Sequence, residues 1–382
     1  MDPKDFVAPE AGRSVTTTGG YRAFVPAPLP PALQYDPELV RQLSRADAAL
    51  SEVSGLGRLL PNPHLLIAPW IRREAVLSSR IEGTQTSLSE VLIAEIAGSD
   101  AGPNKAANDM REVRNYIAAL EHGIARLREL PLSLRLVREL HERLMQGVRG
   151  DKATPREFRR SQNWIGPSGS TPVTAPYVPP PVTEMLECLD AWEKFLHVHD
   201  AMPELVQCAL VHEQFEAIHP FLDGNGRVGR LLITLFLIER GRLSQPLLYL
   251  SSYIDAHRND YYDLLQRVRT HGDWTAWLRY FVTGIAETAA DAAQQAIRLL
   301  ELRDRYRDSL HRSPRAQQLV EALFANPYVT AKHAQQILGT SNPTARSTLA
   351  VLEKHGIVRE QTGRQWGRLY VADEILAAIE SR

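Results

Sequence analysis

From Asp36 onward the chain places apolar residues at spacings of three and four, the period of helices that bury one face. The pattern predicts helices over 63–80, 87–97, 107–129 and 132–147, then over 183–200, 203–218, 226–240, 258–271 and 273–309. Asp36-Pro37-Glu38 opens the first helical stretch with a capping carboxylate, a proline at the first helical position and an acidic first turn. Ahead of it, residues 1–35 are rich in Gly and Pro and lack periodicity. Pro26, Pro28, Pro30 and Pro31 predict an extended arm.

The helical rhythm breaks between Gly150 and Val182. Two short β-like pieces, Asn163-Trp164-Ile165 and Val173 to Val178, flank a Gly/Ser-rich tip at 166–170 and predict a hairpin. Strand signals are scarce elsewhere and no repeat of fixed period occurs, so the body is expected to be all-α with one hairpin. Residues 314–382 change character. Short helical patterns at 314–325, 331–338 and 342–355 are followed by Gly356 to Glu360, a turn around Gly363 and Arg368 to Val371. Three helices and a hairpin are the layout of a winged helix-turn-helix, with Ser341-Asn342-Pro343 capping the recognition-type helix.

Composition adds bounds. The 382 residues suggest two or three domains, and 44% apolar with 23% charged residues is the profile of a globular chain. Lys plus Arg (44) and Asp plus Glu (45) nearly cancel, so the chain as a whole does not read as a polyanion binder. Cys188 and Cys208 form no metal-spaced cluster and read as buried thiols of a reducing compartment. With no apolar leader at Met1 to Asp5 and no apolar run near the ~20 residues of a membrane span, the expectation is a cytoplasmic protein that does not enter the membrane.

The chemistry concentrates in His219-Pro220-Phe221-Leu222-Asp223-Gly224-Asn225-Gly226-Arg227-Val228-Gly229-Arg230, a tight turn between two amphipathic helical patterns. The first amides of the second helix have no intrahelical acceptor, and Gly224 and Gly226 permit close approach of a ligand. Arg227 and Arg230 oppose the dipole at that helix start and call for an anion, with phosphate the natural one for a guanidinium fork. Asp223 beside a phosphate is a hard ligand suited to Mg²⁺, and His219 can take a proton near neutral pH. Gly224-x-Gly226-x-x-Gly229 also matches the dinucleotide fingerprint, but that motif follows a strand, and here a helix precedes it. His212-Glu213 lacks the second histidine of a zinc-protease helix, since position 216 is Glu216.

The twelve-residue run resembles the signature of the Fic family, HxFx(D/E)GNGRxxR, at every defined position. The resemblance implies a Fic-type helical bundle with a β-hairpin flap and a motif that transfers AMP from ATP to a hydroxyl side chain of a target protein. It implies His219 as general base, Asp223 as the Mg²⁺ ligand, and an ATP site made of Glu82, His219, Gly224, Asn225, Gly226, Arg227, Val228, Gly229, Arg230 and Tyr262. Asn225 and the Gly224 and Gly226 amides would line the α- and β-phosphates, Arg227 and Arg230 the β/γ end. Tyr262 would contact the nucleoside, and the flap would hold the target segment by strand pairing. Ser78-Ser79-Arg80-Ile81-Glu82-Gly83 resembles the family's inhibitory motif (S/T)xxxE(G/N), in which Glu82 would pair with Arg230 where the γ-phosphate belongs.

On this reading the chain divides into an arm (1–35), an N-terminal helical region with the inhibitory helix (36–130), a catalytic domain (131–310) and a winged helix (314–382). Two other functions compete with AMP transfer. One is transfer of another phosphate-containing group, or removal of AMP, by the same fold. The other is a DNA-binding regulator, although residues 314–382 carry only eight basic against six acidic residues. A winged helix also serves as a protein-interaction or homodimer module.

Overall fold

A computed structural model describes residues 1–59, 63–97, 105–148 and 154–380 of the chain. The expected start of the flap region at Gly150 and the terminal Arg382 lie outside the described residues.

The N-terminal half contributes α1 (Pro37–Leu59), α2 (Pro63–Ile81), α3 (Leu88–Ala97), α4 (Lys105–Arg126) and α5 (Leu134–Leu144). After the flap come α6 (Val182–Leu196), α7 (Glu204–Ile218), α8 (Asn225–Glu239), α9 (Ser251–Ala256), α10 (Arg258–His271) and α11 (Trp274–Ser309). Asp36 caps α1 as its sequence predicts, with Oδ1 accepting from the Glu38 and Leu39 amides at 3.0 Å. Its other oxygen takes Arg279 at 2.7 Å and so ties the start of α1 to α11, along which α1 packs. Asp273 caps α11 through the Ala276 amide at 3.2 Å.

The centre of the bundle is the α7–α8 pair. The expected amphipathic pattern of the first is corrected here: Leu205 to Ile218 are all buried, including Gln207, His212, Glu213, Gln214 and Glu216. Several of them find partners inside the protein instead of water, although Gln214 Oε1 and Glu216 Oε1 are buried without one. Gln207 Nε2 donates to the Phe195 carbonyl at 2.8 Å, and the His212 Nδ1 proton goes to the Gly229 carbonyl at 3.1 Å. Close approach of α7 to α8 depends on Gly229, where a Cβ would collide with the Glu216 carboxylate. Gly123 does the same for α4, since a Cβ there would lie 2.7 Å from Leu235 Cδ1.

The arm is not simply extended. β1 (Gly12–Thr16) and β2 (Arg22–Pro26) pair antiparallel, with Ser14 opposite Phe24. The Thr17-Thr18-Gly19-Gly20 turn between them was a signal outweighed by the prolines that follow. Conversely, the flap is less regular than predicted. Only Ile165 and Tyr177 form a bridge, their amides donating across it at 2.9 and 3.4 Å. Pro167 in the tip and Pro172 and Pro176 on the returning side remove donors, so no ladder extends. β2 lends the flap support, the Phe24 amide donating to the Val178 carbonyl at 2.9 Å.

Residues 314–380 form α12 (Pro314–Leu323), β3 (Tyr328–Thr330), α13 (Ala331–Leu338), α14 (Asn342–Lys354), β4 (Arg359–Glu360), β5 (Leu369–Val371) and α15 (Asp373–Glu380). The strands make an antiparallel sheet in the order β3-β5-β4. β3, α9 and α15 are additions to the expected elements, each eight residues or shorter and hence weak in periodicity. Ser341 stands at the cap position of α14, but its hydroxyl meets the Thr344 hydroxyl at 3.0 Å instead of a backbone amide. Cys208 is buried as expected, whereas Cys188 is only half-buried. No described helix is long and apolar enough to cross a membrane.

Gly123→Leu should force α4 from α8 and destabilise the protein by about 1–3 kcal/mol, the usual cost of overpacking. Urea unfolding of the variant against wild type checks this, and an unchanged midpoint would count against a close-packed crossing.

Candidate active site

Residues 219–224 connect α7 to α8, and their shape follows from a few polar contacts. His219 ends α7 in the left-handed region, with φ 48° and ψ 60°. Gly224 opens α8 at φ 79°, beneath Met145 and His141. Asn225 closes the loop: its Oδ1 accepts from the Phe221 amide and its Nδ2 donates to the Phe221 carbonyl, both at 2.8 Å. The amide of Asn225 is therefore committed to the protein, and its part in an anion site is to hold the cradle in shape.

Neighbouring elements lock this loop. Phe221 stacks on His141 with ring centroids 3.7 Å apart. His141 Nδ1 accepts from the Arg156 amide, which leaves its Nε2–H to donate to the Asp223 carbonyl at 3.1 Å. From the base of the flap, Asn163 Nδ2 donates to the carbonyls of His219 (3.2 Å) and Phe221 (2.8 Å). The fully buried Arg159 donates from Nε to the His219 carbonyl at 3.1 Å, and also to the Pro180 carbonyl. Tyr177 anchors the flap's return through its hydroxyl to the Ala217 carbonyl at 2.7 Å.

The charged groups meet at the start of α8. Arg230, with a side chain 2% exposed, donates to the Ser78 hydroxyl (2.8 Å), the Ser78 carbonyl (2.9 Å) and Glu82 Oε1 (2.7 Å). Arg227, 4% exposed, pairs with Glu112 at 3.0 Å, and its Nε is buried with no acceptor. Glu82 sits where α2 ends, in a turn completed by Gly83 at φ 103°. Its carboxylate lies over the Gly226 backbone, where a Cβ would strike Oε1. Burial acts to raise the Glu82 pKa, but Arg230, with Arg227 and His219 beyond, outweighs it and holds the carboxyl below its ordinary range. Burial likewise opposes the Arg230 charge, and Glu82 more than restores it. An acceptor is therefore already seated at the anion-binding end of α8.

Burial, helped by Arg269 and Arg159, pushes the His219 pKa down to about 3. The ring is neutral at pH 7, and so low a value makes it a weaker base than the near-neutral one its sequence suggests. Its Nδ1 is buried without a partner. Asp223 has a half-exposed side chain whose Oδ1 accepts from the Gly224 amide at 2.6 Å and lies 3.7 Å from Arg227. A single accessible carboxylate beside an anion cradle is a donor set suited to Mg²⁺, which takes few protein ligands and fills its shell with phosphate and water. Among the described residues no group of three or more His, Cys, Asp or Glu could enclose a metal by itself.

The structure brings together Ser78, Glu82, His219, Asp223 and residues 224–230. Gly83 shapes the turn, and Val228 and Gly229 face the core side of α8. Tyr262 lies on α10 with 44% of its surface exposed, so it is not a core aromatic, and the charges of Glu82 and Arg230 are felt at its hydroxyl. Sequence reasoning missed Glu112, His141 and Arg159. His141 carried a signal, since 137, 140, 141 and 144 share the buried face of α5. Arg159 carried none, because it lies in an aperiodic polar stretch.

Asn225→Ala should leave the buried Phe221 amide without its acceptor, the Phe221 carbonyl keeping Asn163, and cost about 1–3 kcal/mol, read by chemical denaturation. Burial also lowers the pKa of His212 to about 3 and of His141 to about 4. With an ordinary unfolded value of about 6.5, the stability these neutral rings contribute is present above that pH and is lost as pH falls toward 3–4. Proton–nitrogen NMR should show His141, His212 and His219 failing to titrate between pH 8 and about 5. A ring charging near pH 6.5 would contradict its burial.

The sequence matches the family descriptions Fic/DOC family N-terminal over residues 40–125 and Fic/DOC family over residues 131–237, together about half of the chain. It is 29% identical over 215 residues to a protein adenylyltransferase Fic of Aedes aegypti, covering 55% of this chain and 39% of that protein. A namesake from Culex quinquefasciatus is 28% identical over the same length. The chain thus matches about two-fifths of the length of these curated relatives. The crystal structure of a Fic family protein from Desulfovibrio desulfuricans G20 aligns over 90% of this chain and 98% of its own, with a TM-score of 0.56 and 20% identity. Fic-1 from C. elegans aligns over 69% and 73% with a TM-score of 0.51 and 21% identity. With both family descriptions matched across α1–α8, and the helical bundle shared with solved Fic structures, the chain belongs to the Fic/DOC family.

Proposed function

We propose that this protein is a protein adenylyltransferase, transferring AMP from ATP to a hydroxyl side chain of a target protein, and that Glu82 holds it in an inhibited state. The observation that carries the reading is the seat of the Glu82 carboxylate on Arg230, above Gly226, at the amide end of α8. A helix start with two buried guanidiniums is built for an anion, and a carboxylate there stands in for a phosphate oxygen. The adenylyltransferase names of the relatives support the choice of AMP as the transferred group.

In the reaction the target hydroxyl oxygen bonds to the α-phosphorus, the bond from that phosphorus to the bridging oxygen breaks, and pyrophosphate leaves. His219, neutral at pH 7, takes the hydroxyl proton. The Gly224 and Gly226 amides and the α8 dipole hold the phosphates, while Arg227 and Arg230 offset charge toward the leaving group. Asp223 would hold Mg²⁺, which when bound neutralises phosphate charge and orients the triphosphate. The flap, with only one internal bridge, has main chain outside any ladder with which a target segment could pair. Tyr262, exposed on α10, would meet the nucleoside. Because Arg230 serves either Glu82 or the γ-phosphate, a bound ATP meets its inhibitor at that one guanidinium.

Incubation with ATP labelled at the α- or γ-phosphate, with and without Mg²⁺, tests the reading. Only α-label should enter protein, with AMP adducts visible by mass spectrometry and transfer abolished by chelator. Glu82→Gly should raise the rate at saturating MgATP by about tenfold or more, the scale of one charge-assisted hydrogen bond. His219→Ala should lower transfer about 10²–10⁴-fold with the fold intact. Entry of γ-label would point to another phosphate-group transfer. A slower Glu82→Gly enzyme would point to removal of AMP as the working reaction.

A further inference from the structure

Glu74 is a carboxylate that the reaction above does not use, and it is 2% exposed within α2. Its Oε1 accepts from the Tyr116 hydroxyl of α4 at 2.9 Å and from the Ser251 hydroxyl at the start of α9 at 2.5 Å. Its Oε2 is buried without a partner. The guanidinium whose charge reaches it is that of Arg230. As a mere tie among three helices, a buried carboxylate met by hydroxyls is costly, since apolar side chains of similar volume would serve at least as well.

Glu74 stands one helical turn before Ser78, so the two share a face of α2. Tyr116 lies between them. Its phenol proton goes to Glu74, and its oxygen is hydrogen-bonded by the Ser78 hydroxyl. Ser78 Oγ in turn accepts from Arg230 Nε at 2.8 Å, while the Ser78 carbonyl takes Arg230 Nη2 at 2.9 Å. Each hydroxyl therefore accepts from the group nearer α8 and donates to the group farther from it. The line runs from a guanidinium to a carboxylate, and these charged ends set the direction of every proton between them. Ser78, Tyr116 and Glu74 are all buried, so the line is shielded from water.

We propose that Glu74 and Tyr116 are positioning residues for Arg230, acting through Ser78 to hold its guanidinium at the start of α8 when a γ-phosphate replaces Glu82. The proposal rests on the adenylyltransferase reading and adds to it two residues that lie outside both sequence motifs. Glu82 takes Arg230 from the turn after α2, and Ser78 takes it from the body of that helix. Without Glu82, Ser78 is the acceptor left to Arg230 among the described residues, at a helix end that disfavours a cation. A neutral hydroxyl accepts more strongly when its own proton is drawn toward an anion. Glu74 is that anion, and it sits where a nucleotide does not compete for it.

The test measures nucleotide binding to the full chain carrying Glu82→Gly, by calorimetry with Mg²⁺. Burial raises the Glu74 pKa to about 7, so the assay is run at pH 8, where the carboxylate is charged. ATP and ADP differ in the γ-phosphate, the group Arg230 would meet. Tyr116→Phe and, separately, Glu74→Gln should each weaken ATP about tenfold and change ADP less than about twofold. A purely structural tie predicts a lower melting temperature with both nucleotides weakened alike or not at all, and either result would overturn the proposal. Equal affinities of ATP and ADP for the Glu82→Gly chain would overturn it too. Should Glu74→Gln fail to fold, Tyr116→Phe, which deletes one oxygen, still decides the matter. AMP transfer is read separately: a chain that shows the expected ATP-specific loss but transfers no AMP would sink the enzymatic reading alone.

Discussion

Two guanidiniums buried at the positive end of α8 set the conditions for everything around them. A buried cation at a helix N-terminus is opposed both by desolvation and by the dipole, so it stands only with anionic partners. Arg230 finds Glu82 and the Ser78 backbone and hydroxyl, and Arg227 finds Glu112. These partners come from α2 and α4, outside the motif that supplies the arginines. The N-terminal helices are thereby electrostatically joined to α8, and the site is shared between the regions matched by the two family descriptions. On the proposed function, a phosphate oxygen taking the place of the Glu82 carboxylate would keep an anion on Arg230, so this one ion pair would be the contact that ATP has to exchange.

A second layer of contacts explains why the loop before α8 has a fixed shape. Beside the stack of Phe221 on His141, most constraints on it are side chains reaching main-chain groups: Asn225 to Phe221, Asn163 to His219 and Phe221, Arg159 to His219, His141 to Asp223. Such bonds fix backbone conformation with groups drawn mostly from outside the motif, Asn225 being the motif residue that serves the same end. They also tie the root of the flap to the backbone of His219.

The C-terminal unit shows the same economy of charge at a larger scale. Glu321 and Glu374 pair with arginines of α11, Asp373 pairs with Arg359 and Glu360 closes a turn, while Glu353 stays exposed on α14 beside the exposed Arg346. Net charge counted along the sequence misses this distribution, because pairing with α11 is a tertiary matter.

The sequence alone determined most of the helices, the tight turn that opens α8 with its charged residues, and the end of α2 at Glu82. Helical period, capping residues and a motif with a strict chemical order are local properties, written within a few turns of chain. It misread two kinds of feature. Short strands such as β1–β2 and β3 were missed, and the flap was expected to be more regular, because strand pairing depends on which segments meet and prolines delete donors unevenly. The polar residues of α7 suggested a solvated face, whereas Gln207, His212 and Glu216 lie inside. Burial and pairing of ionisable groups were decided only by the tertiary structure. Glu112 and Arg159 are ordinary surface residues in sequence, and they become part of the site because folding brings segments 115 and 60 residues away against the start of α8 and the loop before it. Sequence specifies which groups are present, but the field each one feels is a sum over neighbours that only packing assembles.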